Sequence, residues 1–148
     1  MPNVLAAGLA LVGGIALALQ VAINAHLSRV VGHPLTAALI SVGVSAVCMI
    51  AALLVLRIPL PSRGTLGGVA PWVWAGGAPG AAYVTLSIVA VPRLGAAVMV
   101  AVAVTGQLAT ALLLDHFGAF GLAAHGISPW RIAGAAALVL GVVLIRFF

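Results

Sequence analysis

Five long apolar runs alternate with short stretches where arginine, histidine, proline and glycine gather. The runs cover about 4–23, 35–56, 71–91, 96–114 and 130–145, and the helix of the first is read as continuing to Val30. A helix needs about 20 apolar residues to cross roughly 30 Å of hydrocarbon, so each run predicts a transmembrane helix. The alternating apolar and polar pattern of a membrane barrel is absent. Pro34 can open the second helix, because proline is tolerated in a first turn. Arg57, Pro59 and Pro61 close it, and 59–69 reads as a loop rich in proline, glycine, serine and threonine. Pro79 predicts a kink in the third helix. Gly76 and Gly80 form a GxxxG pair that permits close helix approach. Pro92 to Gly95 predicts a very tight reversal. Asp115 and His116 end the fourth run, and the glycine-rich, aromatic stretch 117–127 is expected at the membrane interface. Ser128 and Pro129 read as an N-cap followed by proline at the first helical position.

Composition turns these runs into a fold class. Of the 148 residues, 65% are hydrophobic and only 5% charged, and the mean hydropathy is +1.36. A soluble domain carries about 25% charged residues, so this chain takes lipid as its solvent. The expected architecture is an all-α integral membrane protein with one five-span transmembrane domain over 1–148. No soluble domain fits beside the spans. The strongly basic balance is not a nucleic-acid signal. The six basic residues are all arginine, placed singly at 29, 57, 63, 93, 131 and 146, at or near the ends of apolar runs. The N-terminus lacks a basic start, so the first run reads as a permanent span rather than a cleaved leader. Cys48 is the only cysteine, which excludes an intramolecular disulfide. There is no phosphate loop, no nucleophilic triad and no metal-spaced cluster, and the four histidines are scattered. The expectation is therefore no enzyme, no catalytic residues, no cofactor and no metal.

Orientation depends on how the arginines divide. With five spans, one side of the membrane receives the N-terminus and the second and fourth loops, hence Arg57, Arg63 and Arg131. The other receives the first and third loops and the C-terminus, hence Arg29, Arg93 and Arg146. The count is three against three, and the histidines also split evenly, His116 and His125 against His26 and His33. The positive-inside rule thus gives no preferred orientation. Either the first helix sets one orientation, or the chain inserts both ways and opposed copies pair about a two-fold axis in the membrane plane. Charge alone leaves these two readings even. The second would build from two molecules the inverted repeat that many secondary transporters carry within one chain.

Several motifs in fixed order resemble the YdcZ family. They are Gln20-x-x-x-Asn24-Ala25-x-Leu27, Pro71-Trp72-x-Trp74-x-Gly76-Gly77-x-x-Gly80-Ala81-x-Tyr83, and Pro92-Arg93-Leu94-Gly95-Ala96-Ala97. Gly106-Gln107-Leu108, Asp115-His116-Phe117-Gly118, Ser128-x-x-Arg131-x-x-Gly134 and Gly141-Val142 complete the pattern. The resemblance covers nearly the whole chain. It implies a five-span half-transporter of the drug/metabolite transporter superfamily in the inner membrane, some of whose relatives are dual-topology proteins, opposed pairs or fused ten-span chains. It implies transport without supplying a substrate or a set of binding residues.

Polar groups in hydrocarbon are costly unless paired, so each one needs a reason. Gln20 and Asn24 lie one turn apart on the first helix. Gln107 lies within the fourth. Tyr83 and Ser87 are one turn apart on the third. Together they are the candidate substrate-binding residues, with interhelical hydrogen bonding as the competing role for the amides and packing for Tyr83 and Ser87. Ser41, Ser45 and Cys48 mark one stripe of the second helix, where bonding to the local backbone or close packing is the stronger expectation. Asp115 is the only acid. With His116 it is a candidate for ion or proton handling, but its place at the end of a run favours pairing with Arg131 or capping local amides. The small multidrug antiporters of the same superfamily use a carboxylate deep in their first span, where this chain has Gln20. Pro79, Gly76 and Gly80 are the candidate hinge. The fifth helix has no polar side chain between Ile132 and Ile145 and is expected at the periphery or in a dimer contact.

These readings converge on a small-molecule secondary transporter half, working as a dual-topology antiparallel homodimer of ten helices by alternating access. Its partners would be a second copy of itself, the lipid bilayer and a small neutral or zwitterionic metabolite, with no nucleic acid. The alternatives are a passive channel of the same opposed symmetry and a non-transporting membrane scaffold subunit.

Overall fold

The computed structural model describes residues 2–148, with side chains from Val4 onward. The described chain is helical, without strands: α1 (Pro2–Val31), α2 (Pro34–Val55), α3 (Arg63–Gly67), α4 (Gly77–Leu94), α5 (Ala96–Phe117) and α6 (Pro129–Phe147). A 3-10 segment, Pro71–Gly76, leads into α4, and a 3-10 turn, Ala119–Gly121, follows α5. Five stretches are long and apolar enough to span a membrane: Val4–Val31, Pro34–Val55, Pro71–Leu94, Ala96–Phe117 and Pro129–Phe147. Helices suit this setting because every backbone donor and acceptor inside the span is satisfied along the span itself.

The helix starts follow the local chemistry. His33 is extended, and its Nδ1 accepts from the Leu35 amide at 3.2 Å, while Pro34 at the first position needs no partner. Ser128 accepts from the Arg131 amide at 3.3 Å and starts α6. Ser62 accepts from the Thr65 amide at 3.2 Å, which starts α3 inside the stretch expected to be plain loop. At the end of α2, the Arg57 amide donates to the Leu54 carbonyl at 3.2 Å and Ile58 donates to Leu53 at 3.0 Å. This double closure normally uses glycine. Arg57 instead adopts φ 53°, a left-handed conformation that costs a non-glycine residue about 1 kcal/mol.

The third span corrects two expectations. Pro79 does not kink a continuous helix. It is the third residue of α4, where no intrahelical donor is needed, and the change of pitch falls at Gly76–Gly77, where the 3-10 segment ends. Pro92 to Leu94 do not form a turn but stay helical, leaving Gly95 alone as the link to α5. Gly95 takes φ 79°, which glycine adopts without the penalty a Cβ would bring.

Two compact units make up the chain, the first ending at Arg93 and the second being Leu94–Phe148. In the first, α1 and α2 lie against each other. Ala37 and Ala38 of α2 pack with Val84 and Ile88 of α4, and Leu27, Val31 and Tyr83 close over them. Lipid tails are as apolar as leucine, so helices in a bilayer gain from close packing of small residues rather than from escaping water. Large side chains accordingly face outward, as Leu39 does at 72% exposure. In the second unit α5 and α6 lie against each other. None of the α6 residues is buried there.

Candidate functional site

Most hydroxyls in the spans are satisfied by their own helix. Ser45 donates to the Ser41 carbonyl at 3.0 Å and Thr85 to Ala81 at 2.9 Å. Ser87 donates to Val84 at 2.8 Å, Thr105 to Ala101 at 2.9 Å and Thr110 to Gly106 at 2.9 Å. Such back-bonding is a standard way to hide a hydroxyl in lipid. The carboxamides of Gln20, Asn24 and Gln107 are not hidden in this way.

Gln20 and Asn24 line a groove of about 430 Å³ between α1 and α2, together with Leu27, Ile40, Ser41 and Ser45. That volume falls within the range of small-molecule pockets. The Gln20 Nε2 donates to Ser41 Oγ at 3.4 Å, a long hydrogen bond. Asn24 is 4% exposed. Among the described residues its carboxamide has no hydrogen-bond partner, and no polar side-chain atom is both fully sealed and unpaired. The amide therefore opens onto the groove. Gln20 lies about 5 Å past the middle of α1 at 1.5 Å per residue, close to the depth where transporters hold substrate.

The structure brings together only part of the expected set. Tyr83 and Ser87 sit in the packed interior of the first unit, where Ser87 is buried and its hydroxyl is occupied by Val84. Neither lines the groove. Gln107 is exposed on α5 of the second unit. Ser41 and Ser45 belong to the groove although they were not among the expected binding residues. Their spacing of four on α2 was the available signal. A methyl group added at Gly76 or Gly80 would meet nothing within 4 Å, so among the described residues no helix exploits the GxxxG pair.

Asp115 has a different environment. Its carboxylate pairs with Arg131, each side chain being about one-third exposed. Its carbonyl accepts from the His125 amide at 2.8 Å, and Arg131 Nη1 donates to the His125 carbonyl at 3.1 Å. The loop between α5 and α6 is thus tied to both helix ends. Gly118 makes this path feasible: at φ 58°, a Cβ there would meet the Leu122 carbonyl at 3.2 Å. His116 stacks edge-on against Phe117 rather than joining the ion pair. Among the described residues no group of His, Cys, Asp and Glu could hold a metal ion.

A family model described as "Putative inner membrane exporter, YdcZ" matches residues 5–144. The chain belongs to the YdcZ family. The YdcZ match runs through all five spans, and with their length and hydropathy it makes this a multi-pass protein of the inner membrane. The YdcZ family is described by membrane export and not by an enzymatic reaction. No curated protein and no solved structure matches the chain.

Proposed function

We propose that the chain is half of a small-molecule exporter, assembled from two copies inserted in opposite orientations. Its substrate is a small neutral or zwitterionic metabolite held by the groove between α1 and α2. The observation that carries this reading is Asn24, a buried carboxamide with no partner among the described residues, beside Gln20, which is only loosely tied. In hydrocarbon, an amide that opens onto such a groove without a partner costs about 1–3 kcal/mol. A bound solute that donates and accepts hydrogen bonds would recover that energy.

The lack of a free carboxylate supports the choice of substrate class. Asp115 is the only acid and is engaged by Arg131, so no anionic group is left to attract a lipophilic cation. The even division of arginines supports the opposed pair. In such a pair the inward-open and outward-open states can be the same structure with subunit roles exchanged, and rocking of one copy against the other provides alternating access. The pitch change at Gly76–Gly77, with Pro79 and Gly80 just beyond it, suits a pivot. In this scheme Tyr83 and Ser87 pack the first unit, Gln107 lies outside the groove, and His116 has no coupling role.

Reporter tags on both termini in intact cells test the orientation, and the expected result is both populations in comparable amounts. Counterflow in liposomes containing purified protein tests the transport. Neutral and zwitterionic amino acids are expected to exchange saturably, with choline as a weak control. Unsaturable conductance would point to a channel, and proton-driven choline export abolished by Asp115→Asn would refute the substrate class.

A further inference from the structure

A cavity of about 300 Å³ lies between α1 and α4, lined by Ala22, Ala25, Arg29, Val91 and Pro92. It is separate from the groove that holds Gln20 and Asn24. Its walls are apolar apart from a single guanidinium. Arg29 is exposed and contacts His26 Nδ1 at a long 3.4 Å. Arg93 follows Pro92 in the last turn of α4. The first unit contains no acidic residue, because the chain's one acid is Asp115 in the second unit. The carboxyl-terminal ends of α1 and α4 each contribute about half a negative charge, which does not balance two arginines.

We infer that this cavity binds the phosphate headgroup of an anionic phospholipid. Depth supports a lipid over a free anion. At 30 residues, α1 is about 45 Å long against roughly 30 Å of hydrocarbon, so its last turn, with Arg29, reaches headgroup level. Ala22, Ala25 and Val91 extend from there toward the hydrocarbon and offer a wall to the glycerol and first methylenes. A soluble phosphate would leave that wall unused. Guanidinium matches phosphate with paired donors, and basic pockets between membrane helices take anionic headgroups. His26 and His33 are the other titratable groups at this end of the unit, and the site needs neither to be charged.

Native mass spectrometry and thermal melting of the purified full chain test the site, with phosphatidylglycerol, phosphatidylcholine of the same acyl chains, and inorganic phosphate as probes. Phosphatidylglycerol is expected to bind more tightly than phosphatidylcholine and to raise the melting temperature. Arg29→Gln is expected to weaken it about fivefold, the factor corresponding to roughly 1 kcal/mol per arginine near a lipid surface. Arg29→Lys should retain most of the binding, and Arg146→Gln, on α6, should leave it unchanged. Ala22→Phe narrows the cavity with the charge intact and should also weaken binding, which keeps the question answerable if Arg29→Gln fails to fold. Equal binding of the two lipids overturns the inference. So does unchanged binding in both Arg29→Gln and Ala22→Phe, or full reproduction of the thermal shift by inorganic phosphate.

Discussion

In the first unit, Gln20 and Asn24 face an open groove with one long hydrogen bond between them and the rest of the chain, whereas in the second unit Asp115 and Arg131 engage each other and the loop that joins their helices. The contrast follows from depth and charge. A carboxylate at the end of a span can reach an arginine and polar backbone, and its cost is met locally. A carboxamide near the middle of a span has neither, and only a neighbouring helix or a solute can satisfy it. The hydroxyls of Ser45, Thr85, Ser87, Thr105 and Thr110 mark the limit of self-sufficiency, since each reaches a carbonyl about one turn back on its own helix. Two of the three carboxamides in the spans, Gln20 and Asn24, lie together where α1 meets α2, and we propose that this is where a transported solute has most to gain.

Substitutions can break or sharpen this contrast. The largest stability effect is expected at Arg131→Ala, which leaves Asp115 without its partner and the 118–128 loop without its anchor. A loss of about 2 kcal/mol is expected, between the values for exposed and buried ion pairs, and denaturant titration would measure it. Arg57→Gly should act in the other direction, stabilising by about 1 kcal/mol in the same measurement, because glycine takes φ 53° without strain. It also removes one arginine from one side of the membrane, so terminal tags should show the orientation ratio moving away from parity. The smallest effect is expected at Ser41→Ala. Losing the long bond from Gln20 should cost about 0.6 kcal/mol, the average for interhelical bonds in membranes. A cost of several kcal/mol there would show that Gln20 holds helices together rather than waiting for a solute.

Apolar runs made the five spans legible in the sequence, and prolines and serines marked most of their starts. Pro79 was misread because proline is disruptive inside a helix and harmless in its first turn, and the apolar run began eight residues earlier than the proline without revealing where α-helical pitch begins. The five-residue helix α3 escaped notice in a loop rich in glycine and proline, although Ser62 and Thr65 had the spacing of a cap. The Gln20 and Asn24 pair was readable from its four-residue spacing. Its alignment with Ser41 was not, because α2 is apolar on nearly every face and so carries little periodic signal to say which side meets α1. Asp115 and Arg131 were readable as partners because the chain offers few charges to choose from.

Asn24→Ala and Asp115→Asn, compared side by side for saturable solute exchange in liposomes at matched protein incorporation, address the central contrast most directly. Asn24→Ala is expected to lower exchange at least tenfold, the loss of one hydrogen bond to solute in a low-dielectric site. Asp115→Asn is expected to stay within about twofold of the unaltered protein while melting at a lower temperature, since its carboxylate serves the loop. Full exchange in Asn24→Ala together with abolished exchange in Asp115→Asn would contradict this and move the transport chemistry to the ion pair.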